Sequence, residues 1–234
     1  MGRDLLIVGA GGFARETAQL LAACMPALAK SLRLLGFLDD DPALTGWNVD
    51  GVPVLGPSTM VYDTPHAGVV LCVGSPRDPL SRMRLAERLD LPAQRYATVV
   101  HPTASVSVDS VIGPGSVLLA QSVLTAGVRV GAHVAVMPRV VLTHDDEIGD
   151  FATLASGVTL GGGVRVGRGA YLGAGAMVRE NLAIGAGALV GMGSVVLRDV
   201  PPGEVWAGNP ACRLRAVADR APVGAGAREG AADG

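Results

Sequence analysis

Aromatic side chains make up only 3% of this 234-residue chain. That excludes a core built around large rings, which dominate burial where they occur. The apolar mass is Val, Leu, Ala and Ile, and together with 33 glycines it suits thin, regular layers. Cysteine is also scarce: Cys24, Cys72 and Cys212 are odd in number and far apart. They argue against a disulfide framework or a CxxC metal site and fit a reducing, cytoplasmic setting. Neither sign of charge is in excess, the formal balance being −2. Nucleic acid and anionic membrane surfaces are therefore not expected as partners. No apolar run approaches the ~20 residues that cross a bilayer. Met1-Gly2-Arg3-Asp4 leads straight into a short apolar strand, without the pattern of a secretory signal.

What the chain has instead is a period. From Val106 to Val196 every sixth residue is aliphatic, sixteen positions in succession, through Ile112, Leu118, Leu124 and on to Ile184 and Val190. Two residues before each stands a small or β-branched side chain, as at Ala104, Ser110, Ser116, Ser122, Val128 and Val134. Asp146 and Leu182 break that rule. Glycine often follows the aliphatic, as at Gly113, Gly131, Gly149 and Gly167. A six-residue period is neither helical nor a simple strand alternation. It fits a short strand plus a turn, with one large and one small side chain pointing inward. Three such segments close a triangular coil. Stacked at ~4.8 Å, about five coils make a parallel β-helical prism roughly 25 Å tall.

The first hundred residues read differently. Leu5-Leu6-Ile7-Val8 is a buried strand, Gly9-Ala10-Gly11-Gly12-Phe13-Ala14 a glycine turn, and Arg15 to Ala23 a helix. This is a GxGxx(G/A) pattern in strand–turn–helix context, where backbone N–H groups at the helix start favour phosphate. A second strand, Leu32 to Leu38, ends in Asp39-Asp40-Asp41, and an acid there can hold a ribose or a base edge. A third strand, Val69 to Val73, ends at Gly74-Ser75; a helix, Pro79 to Leu89, and a last strand near Tyr96 to Val99 follow. The unit is mononucleotide-sized, which favours a nucleotide or nucleotide-sugar over NAD(P); a purely structural glycine turn is the remaining reading. Three parts result: a Rossmann-like domain over 1–100, a prism over 101–215, and a tail over 216–234 rich in Ala, Gly and charge and expected to be disordered.

Taken together, LLIVGAGGFARE, GFLDDD and VVLCVGSPRD ahead of a prism without inserted loops resemble the sialic-acid O-acetyltransferase and bacillosamine-pathway acetyltransferase family (NeuD/PglD-like), over about residues 3–215. The resemblance implies a left-handed β-helix, a homotrimer with sites between neighbouring prisms, acetyl-CoA as co-substrate, and an amino-sugar acceptor linked to UDP or dTDP, or a sialic-acid hydroxyl. It also matches Trp206-Ala207-Gly208-Asn209-Pro210-Ala211 to a segment beside coenzyme A.

Of the four histidines, His144 matches the family's catalytic position, with Asp145 as its carboxylate partner. The chemistry agrees: acyl transfer needs a base of near-neutral pKa, and imidazole is the natural one. His101 reads as a structural His-Pro corner, His133 as an exposed turn residue, and His66 as a loop residue with no partner. His133 and His144 lack a third ligand at metal-site spacing, so no metal is expected. By position in the family, Thr153, Gly162, Ala174 and Met192 bind acetyl-CoA, with the Gly162 N–H facing the thioester oxygen. Gly11, Gly12, Phe13, Asp39, Asp40 and Gly74 bind the nucleotide-sugar.

The chain departs from the pattern at three places. Phe13 stands where relatives often have His, Thr153 replaces a second His, and Asp146 fills an inward slot that relatives give to Cys or Ala. A dry carboxylate is costly, so Asp146 must reach a polar partner or a corner open to water. Acyl transfer survives these changes, and the acceptor is what they leave open: an amine, or alternatively a sugar or natural-product hydroxyl. Outside catalysis, the rival is a trimeric nucleotide-sugar-binding scaffold, which acetyl-CoA would not stabilise.

Overall fold

A computed structural model describes residues 3–28 and 32–217. The tail expected to lack order lies, from 218 on, outside them. The first unit is a five-stranded sheet of β1 (Arg3–Val8), β2 (Leu32–Leu38), β3 (Asn48–Val49), β4 (Val52–Gly56) and β5 (Gly68–Leu71) in the order β3-β4-β2-β1-β5. All neighbours are parallel except the β3–β4 hairpin. Helix α1 (Gly12–Leu28) starts three residues earlier than expected, inside the glycine turn. Its buried face combines small residues, Ala14, Thr17 and Ala18, with Leu20 and Leu21. Helix α2 (Ser81–Leu89) buries Arg82, Leu85 and Leu89, one helical face. The β3–β4 hairpin escaped the sequence reading, although Asp50-Gly51, with φ of 51° and 85°, is a strong two-residue turn signal.

The second unit is a parallel β-helix. Its two-residue strands fall into three walls, and partners in each wall are eighteen residues apart, as Val123 is from Val141. Wall 1 runs from Val99–Val100 through Ala135–Val136 and Thr153–Leu154 to Leu189–Val190. Wall 2 runs from Ser105–Val106 through Val141–Leu142 to Val195–Val196, and wall 3 from Val111–Ile112 through Glu147–Ile148 to Ala183–Ile184. Wall 1 thus begins at Val99, one repeat before the series read from the sequence; Val100 continues the period downward. The sixfold aliphatics form one continuous core, with Leu118, Leu142, Leu154, Leu160 and Val190 fully buried. Glu204–Gly208 extends wall 1, Ala211–Ala216 returns antiparallel to it, and Trp206 closes the top of the core.

The two units share apolar packing: Val99, Val117 and Leu119 of the prism lie in one cluster with Leu5, Ile7 and Ala14. The centre of the junction is polar. Arg82 is 2% exposed and sends its guanidinium from α2 into the corner between walls 3 and 1. Nε donates to the His133 carbonyl at 2.8 Å, Nη1 to Val73 at 3.0 Å, and Nη2 to Thr153 Oγ1 at 2.8 Å and the Phe151 and Ala152 carbonyls. Burial pulls its pKa down to about 10, so it is still a cation at neutral pH. Carbonyl dipoles solvate it in place of water. Arg82→Met keeps the apolar stem and removes those donors, leaving buried acceptors facing a thioether. Urea unfolding should show a loss of about 3 kcal/mol, since each unmade buried bond costs about 1–3 kcal/mol and some relaxation is available.

Candidate active site

His144 and Asp145 occupy the corner between walls 2 and 3, on the turn from Val141–Leu142 to Glu147–Ile148. Asp145 takes a left-handed φ of 62°, with its N–H donating to the Ala126 carbonyl one coil below at 3.0 Å. That turns its carboxylate back, and Oδ2 meets His144 Nδ1 at 2.9 Å. With a carboxylate on Nδ1, the proton sits there and Nε2 is left as the free base. The imidazole projects outward, with 68% of the side chain exposed. It also lies over Gly162 in the coil above, where an added Cβ would stand 2.3 Å from Nε2. Gly162 is therefore glycine because the ring occupies its side-chain space. Just below, Asp146 is fully buried and bonded to the Thr143 and Val164 N–H groups at 2.8 and 2.9 Å. The polar partner expected for it is present, and it is backbone rather than water.

The other residues expected to bind acetyl-CoA stand elsewhere. Thr153 begins a strand of wall 1 and is engaged by Arg82. Ala174 and Met192 lie on the corner between walls 1 and 2, where Met192 is exposed. Within one chain they are not brought to His144.

Around the glycine turn, Gly11 and Gly12 are exposed, with nothing within 4 Å of an added Cβ. No packing demands glycine there, and the space is open to a ligand approaching the start of α1. Gly9 differs: its φ is 107° and a Cβ would lie 2.8 Å from the Cys72 carbonyl. Asp39 and Asp40 are both engaged by their own chain. Asp39 Oδ2 accepts from Ala10 N–H at 2.8 Å and Oδ1 from Asp41 N–H at 3.0 Å, so it holds the turn in shape. Asp40 accepts from Ser58 N–H at 2.8 Å and pairs with Arg88. Burial alone would raise its pKa, but the bonds from Arg88 and Ser58 outweigh it and hold the carboxyl below its ordinary value. Phe13 and Gly74 meet at Arg82: the ring lies 5.8 Å from its guanidinium carbon, and a Cβ on Gly74 would lie 3.1 Å from Nη1.

Arg82 is thus the hub that joins two predicted acceptor residues to a predicted cofactor residue, and the sequence reading missed it. Its one signal was helical spacing with Leu85 and Leu89, which puts an arginine on a buried face. His133 corrects the reading in the other direction. It is 6% exposed, not a surface turn residue, with its ring stacked 4.8 Å from Phe151 and edge-on to Tyr96 at 4.3 Å. The reason is tertiary: α2 covers its corner. Burial first, and Arg82 second, push its pKa down to about 4, so it stays neutral. His101 makes the expected corner, with Nδ1 taking the Thr103 N–H at 3.1 Å.

His101 also lines a cleft of about 500 Å³ between α1 and the prism. Gly12, Arg15, Glu16 and Asp50 face Leu119, Ala120 and Pro138 across it. Arg15 and Asp50 form an ion pair at 2.6 Å along its side, and burial raises the Glu16 pKa. The volume suits one small ligand. Among the described residues no three His, Cys, Asp or Glu side chains stand together as a metal site, and no helix is long and apolar enough to cross a membrane.

Solved structures similar to this chain include acetyltransferases. Residues 4–89 match the model of the PglD N-terminal domain. The acetyltransferase domain of PglB from Neisseria gonorrhoeae FA1090 is 31% identical, with a TM-score of 0.79 over 91% of this chain and 100% of that domain. A histidine-to-alanine variant of GDP-perosamine N-acetyltransferase from Caulobacter crescentus, solved with CoA and GDP-perosamine, is 28% identical, with a TM-score of 0.78 over 90% of this chain and 96% of that one. GDP-perosamine N-acetyltransferase of Escherichia coli O157:H7 is 31% identical over 151 residues, which is 64% of this chain and 66% of that relative, just short of two thirds of its length. The chain belongs to the PglD/NeuD-like hexapeptide-repeat acetyltransferases.

Gly162→Ala tests the close approach directly. The Gly162 backbone carries no positive φ, so alanine strains only the His144 ring that fills its side-chain space. Turnover should fall by about 10²-fold, the scale of a 1 Å misplacement, with the thermal midpoint nearly unchanged.

Proposed function

We propose that the protein transfers an acetyl group from acetyl-CoA to the amine of a nucleotide-linked amino-sugar. The observation that carries this is the His144 imidazole, fixed by Asp145 on one nitrogen and presenting the other over Gly162 at a solvent-facing corner. In this reading the acceptor amine attacks the thioester carbonyl while His144 Nε2 takes its proton. Asp145 stabilises the resulting imidazolium. The Gly162 N–H donates to the developing oxyanion. The tetrahedral adduct collapses, the C–S bond breaks, and CoA leaves as the thiol with the proton that His144 held. Cys72 is buried with its pKa pushed up to about 12, and Cys212 lies on the returning strand, so neither of these two described thiols stands ready to form an acyl-enzyme.

The acceptor domain and the base reach each other through assembly. The outward row of wall 2 carries Val123, Val141, Met177 and Val195 beside the polar Ser105 and Thr159, and Met177 is 49% exposed. Wall 2 lies between the His144 corner and the corner that carries Ala174, Met192 and the α1 cleft. Three prisms with wall 2 turned to a common axis bring one chain's His144 beside its neighbour's Ala174 corner. A homotrimer with three shared sites follows. The nucleotide of the acceptor lies at the glycine turn, its sugar towards the α1 cleft. The names of the perosamine relatives add GDP to UDP and dTDP as the nucleotide to be tried.

CoA release is to be followed with acetyl-CoA and a panel of GDP-, UDP- and dTDP-linked 4-amino-sugars, with hydroxyl analogues beside them. His144→Ala should lower turnover by ~10²–10⁴-fold with folding intact; near-full activity would remove the base from the mechanism. Acetyl-CoA at about 100 times its Kd should stabilise the protein by about 2.7 kcal/mol in a thermal shift, and no shift would favour a scaffold. Met177→Glu should give monomers by light scattering and abolish turnover.

A further inference from the structure

The hydrogen-bond ladder of wall 2 is broken at one coil, and the break lies under His144. At every other coil of this wall the residue after the strand donates its N–H to the carbonyl of the sixfold aliphatic above. Ser107 bonds Leu124, Thr125 bonds Leu142, Gly161 bonds Val178 and Arg179 bonds Val196, at 2.8–3.1 Å. Thr143 departs from this. Its N–H turns to Asp146 Oδ2 at 2.8 Å, and its Oγ1 takes over the Leu160 carbonyl at 3.0 Å. The strand pairing records the change: Val141 pairs with Thr159, while Leu142–Leu160, the pair expected next, is missing. Coils above and below pair at both residues. The other oxygen of Asp146 accepts from Val164 N–H at 2.9 Å, just beyond Gly162 and Gly163. One buried carboxylate therefore ties the His144 turn to the turn that His144 covers. At the same inward place, neighbouring coils carry Val128 and Val164, which bind neither.

We infer that Asp146 and Thr143 are positioning residues for acyl transfer, a pair that exchanges one ladder bond for a side-chain clamp and so sets the His144 ring over Gly162. The inference rests on His144 being the base, and it makes the unusual Asp146 a determinant of that base's position. The clamp also responds to pH. Burial raises the Asp146 carboxyl to about 6, against the bonds from Val164 and Thr143. The charged groups facing it are His144 and Asp145 on its own turn. The turn below offers Ala126-Gly127-Val128 and the turn above Gly161 to Val164, all uncharged. A proton on either oxygen removes one of the two acceptors. As pH falls through about 6 the clamp opens, in the same direction that protonation of the base lowers turnover. The stability sign is opposite. The folded value lies above the ordinary 3.8, so this group's contribution to stability is full below about pH 4 and is lost as pH rises through about 6.

The experiment uses full-length Asp146→Val, which restores the residue type of the neighbouring coils, and Thr143→Val, which removes only the hydroxyl. In the second, the Leu160 carbonyl can be satisfied only if residue 143 returns its N–H to the ladder. Should Asp146→Val not fold, Thr143→Val carries the test alone. The acceptor is whichever panel compound the wild type turns over. Each variant should lose about 10²-fold in kcat with KM for acetyl-CoA little changed, and the double variant should lose no more than either single one. On the acid side, the slope of log kcat against pH should fall from near two to near one. Crystals of Asp146→Val should show Leu142–Leu160 paired and the ring displaced from Gly162. Wild-type kcat and acid slope in both folded single variants, or an unmoved ring, overturn the inference while leaving the base assignment intact. Full turnover in His144→Ala would instead sink the base assignment, and the ring position in the Asp146→Val crystals would still decide whether the clamp sets it.

Discussion

A backbone ladder that repeats every eighteen residues sets the terms for the rest of this molecule. Each short strand is satisfied by the strand one coil above, so every corner stands in register with the same corner of the next coil. The sixfold aliphatics fill the space the ladder encloses. A side chain at a corner therefore has its neighbours fixed on both sides: His144 has Ala126 and Gly127 below it and Gly162 above. Such a frame places a functional group with little freedom, which suits chemistry that depends on sub-ångström approach.

Two departures from this regularity mark the places where the prism does more than stack. At the corner between walls 3 and 1, carbonyls of residues 133, 151 and 152 converge on Arg82 and bring the first domain to the prism. The guanidinium is buried without a carboxylate, a balance that holds only because several carbonyl dipoles replace its water. His133 fits there because it is neutral; a second cation beside Arg82 would oppose the docking. At the corner between walls 2 and 3, Asp146 and Thr143 replace one ladder bond beside His144. One departure joins two domains and the other joins two successive turns of the prism.

The separation of His144 from Ala174 and Met192, the residues expected to bind acetyl-CoA, has a simple geometric cause. A triangular prism shows different corners in different directions, so His144 and the Ala174–Met192 corner cannot face each other within one chain. They lie at the two edges of wall 2, whose outward row includes the exposed Met177. In the trimer proposed above, association through that wall would cover Met177 and the half-buried valines beside it and would join the two edges.

The prism was legible in the sequence because its period is carried by every coil; sixteen aliphatics in register favour it over a β-sandwich or a glycine-rich low-complexity segment across residues 106–196. The strand–glycine turn–helix opening and the His144–Asp145 pair were legible for a related reason, since they lie in continuous sequence and their neighbours are their partners. The β3–β4 hairpin was signalled by Asp50-Gly51 yet is too short to impose a pattern of its own. What only the tertiary structure decided are relations between residues far apart in the chain. These include the burial of His133 under α2, the convergence of Phe13, Gly74 and Thr153 on Arg82, and the use of Asp39 to hold its own turn. The sequence marked Asp146 as out of place, and it required the fold to show which bonds its carboxylate takes. Periodicity is a local property and can be read along the chain, whereas hydrogen bonds between elements depend on three-dimensional placement that no single stretch encodes.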